Sequence, residues 1–209
     1  MVRRIVLCFQ HMEEPSNEKK GSSPLKITDG QQWINWKELI RFAILALVIV
    51  VPFRMYIAQP FIVSGASMSP TFETGQYLII DEITYRFETP KRGDVIILKK
   101  PRQGDEYLIK RVIGLPGDTI KSVGGVISVK EVSGDESKSL NEAYVINRST
   151  DDFNTTIGEN EYFVMGDNRP VSLDSRFIGP VPKDHIVGRA ILRLFPFNKI
   201  DLFPGFINN

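Results

Sequence analysis

Cysteine and histidine are almost missing from this chain. The single cysteine, Cys8, stands near the N-terminus, which excludes an intrachain disulfide framework and leaves the rest of the protein without a thiol nucleophile. The two histidines, His11 and His185, are too few for a His-rich metal site and leave His185 as the one candidate base for a Ser-His-Asp arrangement in the main part of the chain. Excess charge is missing as well. Lys and Arg number 26 against 25 Asp and Glu, and the portion after Ala58 is close to neutral. No broad electropositive face is implied, so nucleic acid is not an expected partner. No internal repeat is present, and nothing in the composition calls for a metal or another cofactor.

There is one long apolar run, LIRFAILALVIVVPFRMYIA, from Leu39 to Ala58. About twenty residues at ~1.5 Å each match a hydrocarbon core of ~30 Å, so the run reads as a membrane span. Its strictly uncharged part, Phe42 to Phe53, is shorter, and Arg41 and Arg54 near the ends would have to snorkel. A buried helix of a soluble domain and a cleaved signal peptide are the alternatives. A core helix rarely lacks a polar stripe for ten residues, and the run begins late with no clear small-residue cleavage pattern. Arg3, Arg4, Lys19, Lys20, Lys26 and Lys37 precede it, and the positive-inside bias puts that end in the cytoplasm. The expected organisation is a cytoplasmic tail over 1–38, an anchor over 39–58 and an extracytoplasmic domain over 59–209, with a polar excursion at 132–160. At 209 residues and 42% hydrophobic composition the chain can bury one ordinary core beyond the anchor.

Past Gln59 the apolar residues arrive in short bursts between turn residues: QYLII, GDVIILKK, EYLIKRVIG, DTIKSV, VISVK, AYVI, EYFVMG and HIVGRAILRLF. These are strand-length runs rich in Val, Ile, Tyr and Phe, and none keeps a helical period over three turns. TIKSV and VISVK, joined through Gly124-Gly125, read as a hairpin with a two-residue turn. A mainly β domain is expected.

Three polar stretches interrupt this pattern. In SGASMSPTF, Ser64 to Phe72, hydroxyls, a methionine and a proline crowd a loop just past the apolar run. In EYLIKRVIGLPGD, strand alternation sets Lys110 between Leu108 and Val112 on one face, with Ile109, Arg111 and Ile113 on the other. Burial would lower that lysine toward the range a base needs, although a strand lysine taken alone more often snorkels to the surface. In GDNRPVSLDSRFIGPV, Gly166, Asp167, Asn168 and Arg169 precede Ser172, Asp174, Ser175 and Arg176. Taken singly, Ser67 is a solvated loop serine, Met68 an interface or core filler, and the third stretch a loop held by Asp and Arg pairs.

Together, and in that order after an apolar segment, SGASMSPTF, KRVIGLPGD and GDNRPVSLDSR resemble the sequence boxes of type I signal peptidases, the serine-lysine leader peptidases of bacterial membranes. The resemblance runs from the apolar segment almost to the C-terminus and includes GDVIIL. It implies a mainly antiparallel β fold with an extended hydrophobic surface near the bilayer, in agreement with the strand reading. It also implies Ser67 as nucleophile, Lys110 as general base, Ser172 as the residue that orients the lysine, and the Ser67 N–H as part of the oxyanion hole. Arg111, Asp167, Asp174 and Arg176 are expected as structural charge pairs. Two departures stand out. Gly65 occupies a position where many relatives have a serine whose hydroxyl completes the oxyanion hole, although some Gram-positive members share the glycine; Pro170-Val171 stands where Asp-Asn is common.

The chemistry suits the residue types, because a serine hydroxyl is a weak nucleophile until a base takes its proton and a neutral lysine can do so. Ser67 lies nine residues past Ala58, a reach of at most ~30 Å, so membrane-tethered substrates are expected. An extended segment with small residues of the Ala-x-Ala type could pair with a sheet edge, with Phe61, Ile62, Val63, Gly65 and Met68 as candidate contacts. Phe61, Ile62 and Val63 fit lipid equally well. The expected partners are exported preproteins and the bilayer, near the secretion translocon. Two other readings remain: a peptidase dedicated to one secretion or conjugation substrate, and a non-catalytic anchored β domain.

Overall fold

A computed structural model describes residues 35–56, 59–101 and 106–207, with backbone alone for 51–56. The first helix, α1 (Trp36–Tyr56), opens with the Asn35 carbonyl accepting the N–H groups of Glu38 and Leu39 at 2.8 and 3.0 Å. Glu38 in its first turn complements the positive end of the helix dipole. Every described side chain of α1 is exposed, including Leu39, Phe42, Leu45 and Val48. Among the described residues no helix is long and apolar enough to cross a membrane. The anchor expected over 39–58 runs into 51–58, whose side chains lie outside them, as does the tail over 1–34.

Beyond α1 the chain is mainly β, and every pairing among the described strands is antiparallel. The larger sheet contains β1 (Gln59–Ile62), β2 (Tyr77–Asp81), β3 (Val95–Lys99) and β4 (Tyr107–Gly114). The smaller sheet is made by β5 (Thr119–Val123), β6 (Val126–Lys130), β7 (Ser137–Ser139) and β8 (Phe153–Thr156). The chain then returns to the larger sheet with β9 (Glu161–Met165), β10 (Val181–Pro182), the long β11 (Ile186–Phe195) and β12 (Asp201–Leu202). The order in the larger sheet is β1-β2-β11-β3-β4-β9-β10, with β12 on β11; the smaller runs β7-β6-β5-β8. Two short helices, α2 (Thr84–Phe87) and α3 (Ser175–Ile178), sit at connections.

The hairpin of β5 and β6 turns at Gly124-Gly125 with Val123 opposite Val126, and both glycines have positive φ, 56° and 80°. That is the backbone a two-residue hairpin turn needs and that glycine adopts without strain. Three apolar clusters form the core. One gathers Val63, Met68, Phe72, Leu78, Ile80 and Val95 under the Ser64–Phe72 loop. A second, with Ile96, Leu98, Val112 and Val164, lies on the opposite face of the larger sheet; a third, with Ile113, Ile120, Ile127 and Phe163, joins the two sheets.

The structure differs from the sequence reading at AYVI, which is a turn and not a strand: Val145 is buried while Ile146 is exposed. Its flanks hold the backbone instead of a ladder, since the Asn147 carbonyl accepts from Arg169 N–H at 3.3 Å and Glu142 pairs with Arg169. Within the excursion over 132–160, β7 and β8 complete the smaller sheet.

Candidate active site

Lys110 lies on β4 opposite Ile96 and is 2% exposed. Its Nζ donates to Ser67 Oγ and to the Ile109 carbonyl, both at 2.8 Å. Burial lowers the ammonium from an ordinary 10.5 to about 8, against the opposing pull of the Asp174 and Asp167 carboxylates. A lysine with that value is substantially neutral in mildly alkaline solution and can accept a proton from the hydroxyl it touches.

The third polar stretch holds the loop that carries Ser67. Asn168 N–H donates to the Ser67 carbonyl at 2.9 Å, and Asn168 Nδ2 donates to the Ala66 carbonyl at 3.1 Å. Thr71 Oγ1 donates to Asp167 Oδ2 at 2.6 Å. Gly166 fits between the two segments because a Cβ there would collide with Ser172 Oγ and the Ser67 carbonyl. Ser172 itself is 3% exposed and among the described residues its Oγ has no hydrogen-bond partner, Lys110 included. The hydroxyl packs beside Gly166 and the backbone of the nucleophile loop.

Behind this layer lie buried ion pairs. Arg111 grips Asp167 with two bonds of 2.8 and 2.6 Å, and its guanidinium lies 4.2 Å from the centre of the Tyr144 ring. Arg176 donates to Asp174 through Nε at 2.8 Å and Nη2 at 2.9 Å, while Asp174 also accepts the Gly166 N–H at 3.1 Å. Arg169, 2% exposed, pairs with Glu142, whose side chain is fully buried. Sequence reasoning missed Glu142, Tyr144 and the bracing role of Asn168. For Glu142 a signal existed: three arginines, Arg111, Arg169 and Arg176, stood against two aspartates, and buried charges are paired.

A cleft of about 110 Å³ opens beside the Ser67–Lys110 contact, lined by Phe61, Ile62, Val63 and Ser64 from one side and by Tyr107, Leu108 and Ile109 from the other. Among the described residues both walls carry unpaired strand edges: β1 pairs with β2 alone, and β9 meets β4 only at Arg111, Val112 and Gly114, which leaves Tyr107–Lys110 without a partner on that side. Gly65 and Met68 do not line the cleft. Gly65 turns the chain with φ 93° and exchanges hydrogen bonds with Thr74 Oγ1, whereas Met68 is buried in the core at 1% exposure.

The family model described as signal peptidase, peptidase S26, matches residues 36–195, a stretch that takes in the whole of this site. Signal peptidase I of Leptolyngbya laminosa is 35% identical over 75% of this chain and 78% of its own length. A probable signal peptidase I-2 of Synechocystis is 30% identical over 88% and 81%, and signal peptidase I of Bacillus licheniformis 34% over 78% and 90%. A crystal structure of a signal peptidase I from Enterococcus faecalis superposes with a TM-score of 0.42 at 32% identity, covering 49% of this chain and 97% of that one. The chain belongs to the signal peptidase family, peptidase S26.

Proposed function

We propose that this protein is a membrane-anchored serine endopeptidase that removes signal peptides from exported preproteins, with Ser67 as nucleophile and Lys110 as general base. The observation that carries the proposal is the 2.8 Å contact between Lys110 Nζ and Ser67 Oγ, made by a lysine that burial has lowered to about 8. Lys110 takes the hydroxyl proton as Ser67 Oγ attacks the carbonyl carbon of the scissile bond; the proton passes to the leaving amine, and the neutral lysine then activates the water that frees the acyl group. The Ser67 N–H stabilises the oxyanion. Ser172, buried beside Gly166, is the residue proposed to orient the lysine. The two open edges of β1 and β4 suit an extended peptide laid between them, and the small cleft suits short side chains of the Ala-x-Ala type.

The apolar run from Leu39 to Ala58 and the exposed apolar side chains described on the first part of α1 support a single anchor. On the positive-inside bias the tail is cytoplasmic and the β domain lies on the other face, within reach of preproteins leaving the secretion translocon. The test is processing of a purified preprotein by the detergent-solubilised chain beside Ser67→Ala and Lys110→Arg. Both variants are expected to lose cleavage while remaining folded, the second because guanidinium stays protonated. Wild-type turnover by Lys110→Arg sinks the assignment of the base.

A further inference from the structure

A second cavity continues the cleft at the end away from Ser67. Tyr107 borders both, and its ring meets Phe61 edge-on at 5.4 Å, so this ring pair marks the division between them. The second cavity, about 370 Å³, is polar, lined by Gln59, Glu82, Arg86, Lys99 and Asp184. Among the described residues the side chains of Glu82, Arg86 and Lys99 make no hydrogen bond and no ion pair. Partial burial raises the Glu82 carboxyl, with Arg86 and Lys99 acting against it. Charges of both signs thus face one space without neutralising each other by contact.

The position of this cavity follows from the strands. Tyr107 is three residues from Lys110 along β4, roughly 10 Å at the rise of an extended chain. Gln59 opens β1 and follows the last residue of α1, Tyr56, by three positions. A substrate tethered in the bilayer therefore approaches Ser67 from the Gln59 end, and its chain passes the polar cavity before it enters the apolar cleft. We propose that this cavity is a substrate subsite for an uncharged hydrogen-bonding side chain, a carboxamide or hydroxyl, about four to six residues ahead of the scissile bond. A carboxamide offers its N–H to Glu82 and its oxygen to Arg86 or Lys99 without adding net charge. This subsite rests on the peptidase reading above.

The experiment uses the full chain in detergent and preproteins that differ only at the fourth, fifth or sixth residue before the bond, with Gln or Leu there. Wild type cleaves the best-placed Gln substrate with kcat/KM roughly three- to tenfold above its Leu counterpart, as expected for a hydrogen bond in a solvent-open site. Glu82→Ala with Arg86→Ala brings that ratio to one. Lys99→Ala, at an exposed position, reduces it in a background where folding is not at stake. A wild type indifferent at all three positions, or folded variants that keep the full ratio, overturns the subsite while leaving the peptidase reading intact. Failure of wild type to cleave any of the substrates overturns the peptidase reading, and the subsite with it.

Discussion

Lys110 is held where a charged lysine is disfavoured, and that has a thermodynamic consequence separate from catalysis. The unfolded chain binds the proton near 10.5 and the folded chain near 8, so stability is lost as pH falls between those values and the full penalty is present below about 8. The difference corresponds to at most about 3–4 kcal/mol. Lys110→Met is therefore expected to raise the unfolding midpoint at pH 7, and the advantage is expected to vanish above pH 10.5. Denaturant titrations of both proteins at the two pH values check it, and a Met variant less stable than wild type at neutral pH contradicts the burial account. On the proposed mechanism the same group sets the rate: only neutral lysine would accept the Ser67 proton, so kcat/KM should rise with pH through about 8. His185, half-exposed beside Asp184 and outside the cleft lining, should leave that limb unmoved when changed to Ala. A limb that shifts by about one unit in that variant means another group is titrating.

The three polar stretches come together because strands far apart in the chain end at the same place, and buried ion pairs fix the ends of the loops. Glu142, from the polar excursion, completes the set by pairing with Arg169, which also donates to the Gly166 carbonyl at 3.0 Å. Glu142→Ala strands Arg169 in the interior, and removing one partner of a buried pair costs about 3–5 kcal/mol. The expected result is a lower unfolding midpoint together with slower cleavage, because Gly166 and Asn168 share the loop that Arg169 holds. A variant with wild-type stability removes Glu142 from this role. Much of this architecture was legible beforehand. Runs such as VIILK and YLIKRVIG carry the β-branched residues of strands, and the glycine pair announced the hairpin. β7, by contrast, is Ser-Lys-Ser and exposed throughout, so only its backbone pairing reveals it. AYVI looked like a strand because its residues are apolar, yet its backbone bonds run to the third polar stretch. Ser67 and Lys110 were named from the resemblance, while the Glu142 pairing joins distant segments and left only a surplus of arginine as its signal in the sequence.

The apolar side chains described on α1, between Trp36 and Val50, are exposed. In water such a helix would expose a larger apolar patch than soluble proteins carry, and the proposed anchor would place that patch in lipid. The wild-type chain is therefore expected to stay with membranes through alkaline carbonate extraction. Leu45→Arg combined with Val48→Arg puts two charges near the helix centre, each costing roughly 2.5–3.5 kcal/mol to insert. The double variant is expected in the soluble fraction. Sidedness is read in the same preparation: protease added to intact spheroplasts should digest the domain from Gln59 onward and spare the tail with α1. Digestion of that domain only after lysis would reverse the orientation, and release of the wild-type chain by carbonate would remove the anchor. With the anchor gone, the arrangement in which substrate reaches Ser67 from the Gln59 end would lose its physical basis, because that direction follows from a bilayer at the end of α1.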